Sequence, residues 1–182
     1  MEPSESDKQE EKPGQEPAST PQAGLPSGRF TGREAFRQLV RDALARAAQE
    51  GWREIILSDA DFVDWPLGER AVTESLRAWS ASGRRFTILA RRYDDVARMH
   101  ARFVSWRRVW SHIIEARACP SADPLELPSA IWSPGWVMQR LDLERCNGWC
   151  GHEPERRLLL RESLKQWLGR SSPSFAATSL GL

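Results

Sequence analysis

Apolar side chains recur at two different spacings along this sequence, and the spacings predict alternating helices and strands. Intervals of three and four predict a first helix that starts near Thr31 and stops at Gly51. Short apolar runs predict buried strands over residues 54–58 and 85–90. The other predicted elements are helices over residues 67–82, 93–118 and 153–168 and strands over residues 130–133 and 136–142.

This order of elements predicts the fold class. The sequence α-β-α-β-α-β-β-α is typical of an α/β domain, a single-layer mixed sheet flanked by helices, over residues 31–182. Residues 1–30 are rich in Pro, Glu and Ser and hold almost no large aliphatic side chain. Such a segment cannot bury enough apolar surface to offset its ordering entropy, so we predict a disordered acidic tail.

Charge and cysteine content narrow the function classes. Two of the 26 Lys and Arg residues and six of the 25 Asp and Glu residues precede Arg29, which leaves 24 bases and 19 acids in the rest. That mild excess argues against a dedicated nucleic-acid binder. No apolar stretch approaches the ~20 residues of a membrane span, and no secretory signal is visible. Three cysteines without framework spacing favour a reduced compartment, so we expect a cytoplasmic protein.

The densest chemistry follows the strand predicted over residues 54–58. Asp59, Asp61 and Asp64 stand there with Trp65, where ligand sites form in open α/β sheets. Asp59 and Asp61 could share Mg²⁺, which would suit an enzyme that handles phosphate esters. Alternatively, both are turn formers and Asp64 caps the next helix.

Cationic side chains on the long predicted helix could face this cluster. Arg98 and Arg102 flank one side of its apolar stripe, and His100 flanks the other. If this face closes over the carboxylates, the two sets would form a pocket for a small anionic ligand. The alternative is a solvated helix face with weak internal ion pairs.

A second candidate site combines sulfur and nitrogen ligands. Cys146, Cys150 and His152 lie within seven residues, and Cys119 could complete a zinc set. The alternative is that these are small buried thiols beside aromatic side chains.

Several blocks of residues carry a resemblance to a known family. They are Asp59-x-Asp61-Phe62-x-Asp64-Trp65-Pro66-Leu67, Tyr93-Asp94-x-x-x-Arg98-x-His100-x-Arg102-Phe103-x-x-Trp106-Arg107, His112-x-x-Glu115-x-Arg117 and residues 177–182. With them the chain resembles an uncharacterised bacterial domain family of phospholipase D-like α/β fold that lacks the His-x-Lys catalytic motif. The resemblance implies an accessory role without catalysis, and an acetyltransferase-type protein as one partner.

These observations combine into one hypothesis with two alternatives. The first is a non-catalytic phospholipase D-like binding or regulatory domain, without cofactor, that binds a small anionic ligand or a protein partner. The alternatives are a divergent Mg²⁺-dependent enzyme that uses Asp59 and Asp61, and a zinc-stabilised scaffold.

Overall fold

The computed structural model describes residues 24–82 and 84–176. Within these ranges the strands are β1 (Gly28–Phe30), β2 (Glu54–Ser58), β3 (Arg85–Ala90), β4 (Ile114–Ala118), β5 (Ser129–Trp132), β6 (Val137–Asp142), β7 (Asn147–Gly151) and β8 (Ser172–Pro173). The helices are α1 (Arg33–Glu50), α2 (Arg70–Ser80), α3 (Asp94–Met99), α4 (Ala101–Val109) and α5 (Pro154–Arg170).

All eight strands join one sheet in the order β1-β7-β6-β5-β2-β3-β4-β8. The neighbouring strands β2, β3 and β4 are parallel, and every other pairing is antiparallel. The predicted mixed α/β sheet flanked by helices is therefore confirmed. We call the side where β2, β3 and β4 begin the amino edge and the side where they end the carboxyl edge.

Helices cover the two faces of the sheet unequally. On one face, α1, α2 and α4 bury the aromatic residues Phe36, Trp79 and Trp106 together with Phe86 of β3. On the other face, α5 buries Leu160 among apolar side chains of β2, β5 and β6. Each large side chain buried in this way contributes roughly 1.5–3 kcal/mol to the free energy of unfolding. Packing of the helices therefore stabilises both faces of the sheet.

The single long helix predicted over residues 93–118 is wrong. The chain forms α3 and α4, with a break at His100 (φ −117°, ψ 52°), and then enters β4. In β4 the buried residues alternate with more exposed ones, which is a strand period. The apolar residues of β4 continued the helical spacing of the preceding residues by chance, because two or three apolar residues can fit both the helical and the strand period.

The ends of α1 were predicted with mixed success. Gly51 ends it in the left-handed region (φ 65°), as expected for a helix stop. Thr31 is not the N-cap residue of α1. That position is held by Gly32 (φ 93°), so α1 has no side-chain hydrogen bond at its N-cap. β1 lies inside the segment predicted as a tail, and residues 1–23 are outside the described residues.

Candidate functional site

The loop after β2 is organised by its own carboxylates. The Oδ1 atom of Asp59 accepts hydrogen bonds from the backbone N–H groups of Asp61 (3.1 Å) and Phe62 (2.9 Å). Asp61 accepts a similar bond from Val63 at 3.0 Å. These are Asx turns, so the simpler of the two predictions for Asp59 and Asp61 is confirmed.

The second oxygen of Asp59 binds a buried arginine. Arg140 of β6 donates to Asp59 Oδ2 at 2.9 Å, to Asp64 Oδ2 at 2.8 Å and to Ser129 Oγ at 3.0 Å. Its guanidinium also lies 4.6 Å from the centre of the Phe36 ring. Asp64 therefore pairs with a cation and does not cap α2, whose N-cap residue is Glu69 without a side-chain bond.

Trp65 and His100 are parts of the core. The Trp65 ring is fully buried and meets Phe36 (5.2 Å) and Phe62 (5.0 Å) edge-on. His100 is 5% exposed, and its Nε2 lies 2.9 Å from the Phe62 carbonyl oxygen. Burial lowers the pKa of His100, which favours its neutral form. The break between α3 and α4 brings this imidazole against the loop.

The remaining candidates of the predicted pocket are exposed. Arg102 donates to the Gly68 carbonyl oxygen at 3.1 Å, and Arg98 pairs with Asp95 on its own helix. Although the Asp61 residue is exposed, partial desolvation of its carboxyl group by the surrounding loop raises its pKa, and the Asp59 charge is a smaller contribution in the same direction. The helix therefore contacts the loop through side-chain hydrogen bonds of His100 and Arg102 to backbone carbonyl oxygens, and these bonds do not involve the carboxylates. Four surface grooves of 370–660 Å³ are lined by other residues.

The predicted zinc ligands do not converge. Cys119 packs with Leu89 in a small separate cluster, whereas Cys146 and Cys150 belong to the main core. The ring nitrogens of His152 lie 3.0 and 2.9 Å from backbone carbonyl oxygens. All three cysteines are free and buried. Within residues 24–82 and 84–176, no group of three or more His, Cys, Asp or Glu side chains is placed to hold a metal ion.

A group of arginines lies at the amino edge of the sheet. The connections that lead into β2, β3 and β4, and the last turns of α2 and α4, meet there because these strands are parallel. The backbone N–H of Arg85 bonds to the Arg53 carbonyl oxygen at 3.2 Å, which joins two of the connections. Besides Arg107, which is buried, these segments carry five arginines: Arg53, Arg77, Arg84, Arg85 and Arg108. We call them the edge arginines.

The edge arginines lack acidic partners. In the part of the chain that the structure describes, none of the five forms a salt bridge, and all but Arg84 are exposed. The acids nearest in sequence each have another cation: Glu50 has Arg46, Glu54 has Arg161, Glu74 has Arg70 and Glu115 has Arg117. The amino edge thus presents five guanidinium groups without a salt bridge, although Glu54, Glu115 and Glu162 line the same groove as Arg85.

The carboxyl edge differs in this respect. Three of its exposed arginines are paired with acids, in the pairs Arg33–Asp64 (2.9 Å), Arg98–Asp95 and Arg145–Asp142 (3.8 Å). Arg91 and Arg102 donate to backbone carbonyl oxygens instead, and Arg92 forms no salt bridge in the described residues. Sequence reasoning missed the edge arginines because it looked where ligand sites usually form, at the carboxyl ends of strands. The available signal was the placement of Arg53 and Arg84 immediately before predicted strands and of Arg85 at the start of one.

Comparisons with known proteins give a likeness of fold. Neither the scan against protein-family models nor the search of curated proteins found a match. Among solved structures, the fold is similar to TrmBL2, described as an archaeal chromatin protein that shows a novel mode of DNA binding. The TM-score is 0.63 at 14% identity, over 86% of this chain and 57% of that protein. The chain therefore spans less than two thirds of the similar protein.

This comparison corrects two predictions. A non-catalytic ligand-binding or regulatory pocket was expected, and a dedicated nucleic-acid partner was not. Both expectations are wrong, because the similar fold is that of a protein described as a DNA-binding chromatin protein. The resemblance to the phospholipase D-like family stays a prediction. In the described residues, no helix is long and apolar enough to cross a membrane.

Proposed function

We propose that this protein binds double-stranded DNA through the edge arginines. The observation that carries the proposal is the contrast between the two edges of the sheet. Arg33, Arg98 and Arg145 at the carboxyl edge have carboxylate partners, whereas none of the five edge arginines forms a salt bridge in the described residues and four of the five are exposed. Guanidinium groups without carboxylate partners are suited to phosphate oxygens, which they can bind in a bidentate manner.

The proposed interface has the breadth that a nucleic-acid backbone needs. The amino-edge connections lead into three neighbouring strands, at ~4.8 Å per strand. The edge arginines lie on two of them, those into β2 and β3, and in the last turns of α2 and α4. Half-buried Trp52 and Trp110 lie on the connections into β2 and β4. Arginine at a helix C-terminus also offsets the helix dipole, but that effect does not require the arginines of the strand connections.

The likeness to the chromatin protein supports the choice of DNA as the polymer. DNA binding is what the description of that protein reports, and the part of the fold shared here makes up 57% of it. Contacts to phosphate carry no sequence information by themselves. We therefore expect binding that depends weakly on base sequence and strongly on salt.

The test is a comparison of two charge-matched triple variants. Replacement of Arg53, Arg85 and Arg108 by Gln should weaken binding to a 30-base-pair duplex by at least tenfold at about 50 mM salt, because three phosphate contacts are lost. The control replaces Arg92, Arg98 and Arg145, exposed arginines of the carboxyl edge, and should lose less than threefold. Equal losses in both variants, or no binding by the unmodified protein, would refute the proposal. Tighter binding to RNA than to DNA would change the assigned polymer.

A further inference from the structure

We propose that the acidic segment of residues 1–23 binds the amino edge of its own chain and competes there with DNA. This inference rests on the proposed function and adds a regulatory element to it. In the absence of nucleic acid, the proposed occupant of the amino edge is this acidic segment.

The charges of the two partners are complementary. Residues 1–23 hold two bases, Lys8 and Lys12, and six acids, Glu2, Glu5, Asp7, Glu10, Glu11 and Glu16. The edge arginines form no salt bridge within the described residues. Opposite charges at short range attract each other, and the attraction weakens with ionic strength because salt screens exposed charges.

The acidic segment joins the fold at the amino edge. The Leu25 carbonyl oxygen lies 2.9 Å from His152 Nε2, and the Pro26 carbonyl accepts a hydrogen bond from Trp136 Nε1 at 2.9 Å. Trp136 follows the turn between β5 and β6, and His152 follows the last residue of β7. Because β5 and β7 run antiparallel to β2 and β6, both positions lie at the amino edge.

The length of the segment is sufficient to reach the arginines. A chain of 23 residues spans at most about 75 Å at ~3.3 Å per residue. From β7 to β3 the sheet order has four steps, or about 19 Å at ~4.8 Å per strand. Attachment to the same molecule gives an effective concentration on the order of millimolar, so weak contacts suffice for competition.

The experiment keeps the full chain and changes only charge. The segment variant carries E10Q, E11Q and E16Q, and the control carries D94N, E126Q and E144Q, three exposed acids without a salt bridge in the described residues. Both variants add the same net charge, so a general effect of charge on DNA affinity is equal in both. We expect the segment variant to bind a 30-base-pair duplex about fivefold more tightly than the control at about 50 mM salt, with the difference lost near 0.5 M salt.

The outcomes separate this inference from the proposed function. DNA binding through the edge arginines with equal affinities for the segment variant and the control overturns the inference alone. Absence of DNA binding in the wild type and in both variants overturns the proposed function and the inference with it. A gain that disappears when Arg53, Arg85 and Arg108 are also replaced by Gln confirms competition at the amino edge.

Discussion

Replacement of Arg140 by Met tests the account of the loop after β2. Met preserves much of the apolar volume of the arginine side chain but removes its charge and its donors. The side chain of Arg140 is 3% exposed and that of its partner Asp59 is 2% exposed. The variant therefore leaves a buried carboxylate without its cation.

The magnitude follows from that burial. Breaking a buried ion pair by removing one partner costs about 3–5 kcal/mol, because the remaining charge stays desolvated. The two backbone N–H bonds to Asp59 Oδ1 persist in the variant and should hold the cost near the lower end of this range. We expect a loss of about 3 kcal/mol in the free energy of unfolding.

A second substitution distinguishes charge from packing. In the double variant R140M/D59N, the amide oxygen can still accept the bonds from the Asp61 and Phe62 N–H groups, while the unpaired charge is gone. The double variant should therefore be more stable than R140M by about 1–2 kcal/mol. Urea unfolding followed by circular dichroism measures both differences, and the exposed substitution R77M serves as a control expected to stay within about 0.5 kcal/mol of wild type.

Two results would refute the reasoning. One is a loss below about 1 kcal/mol in R140M, which would mean that water or a rearranged loop solvates Asp59. The other is a double variant that is less stable than R140M. In that case the carboxylate of Asp59 would stabilise the loop by more than its unpaired buried charge destabilises it.

Two further predictions concern backbone contact and pH. Gly148→Ala should destabilise the protein by about 2–3 kcal/mol in thermal unfolding, because the new Cβ would lie 2.1 Å from the Gln139 carbonyl oxygen. The control Gly135→Ala should be nearly neutral, because no atom lies within 4 Å of its Cβ position. Equal effects of the two substitutions would contradict the close approach of β6 and β7. Burial lowers the pKa of His100, so protons bind the unfolded chain more tightly and stability should fall as the pH drops below ~6.5. His100→Gln should lose that component in urea unfolding at about pH 7.5 and pH 5, and an unchanged pH dependence would exclude His100 as its source.

Much of the fold could be predicted from periodicity. The strands β2, β3, β5 and β6 and the helices α1, α2 and α5 were expected close to their observed positions, because long amphipathic or continuous apolar runs determine them. The strand β7, Asn-Gly-Trp-Cys-Gly, was missed because it contains two glycines and little β-branched character. The backbone pairing of β7 with β1 and β6 stabilises this segment as a strand although its local β propensity is low.

The site was harder to predict than the fold. Asp59 and Asp61 were correctly considered as turn formers, but the cation that pairs with Asp59, Arg140, lies 81 residues away and no local pattern indicates it. The edge arginines meet only because β2, β3 and β4 are parallel neighbours, which is a property of sheet topology. Sequence charge totals average over both edges, so they concealed an excess at one of them.

The salt dependence of DNA affinity tests the central claim most directly. Fluorescence anisotropy with a 30-base-pair duplex, at several salt concentrations between about 50 and 300 mM, gives the slope of log Kobs against log salt. Each phosphate contact contributes about 0.9 to the magnitude of this slope, so R53Q/R85Q/R108Q should reduce it by about 2.7 relative to wild type. The carboxyl-edge variant of Arg92, Arg98 and Arg145 should keep the wild-type slope. A slope unchanged by the amino-edge substitutions would contradict the proposal that the edge arginines bind DNA.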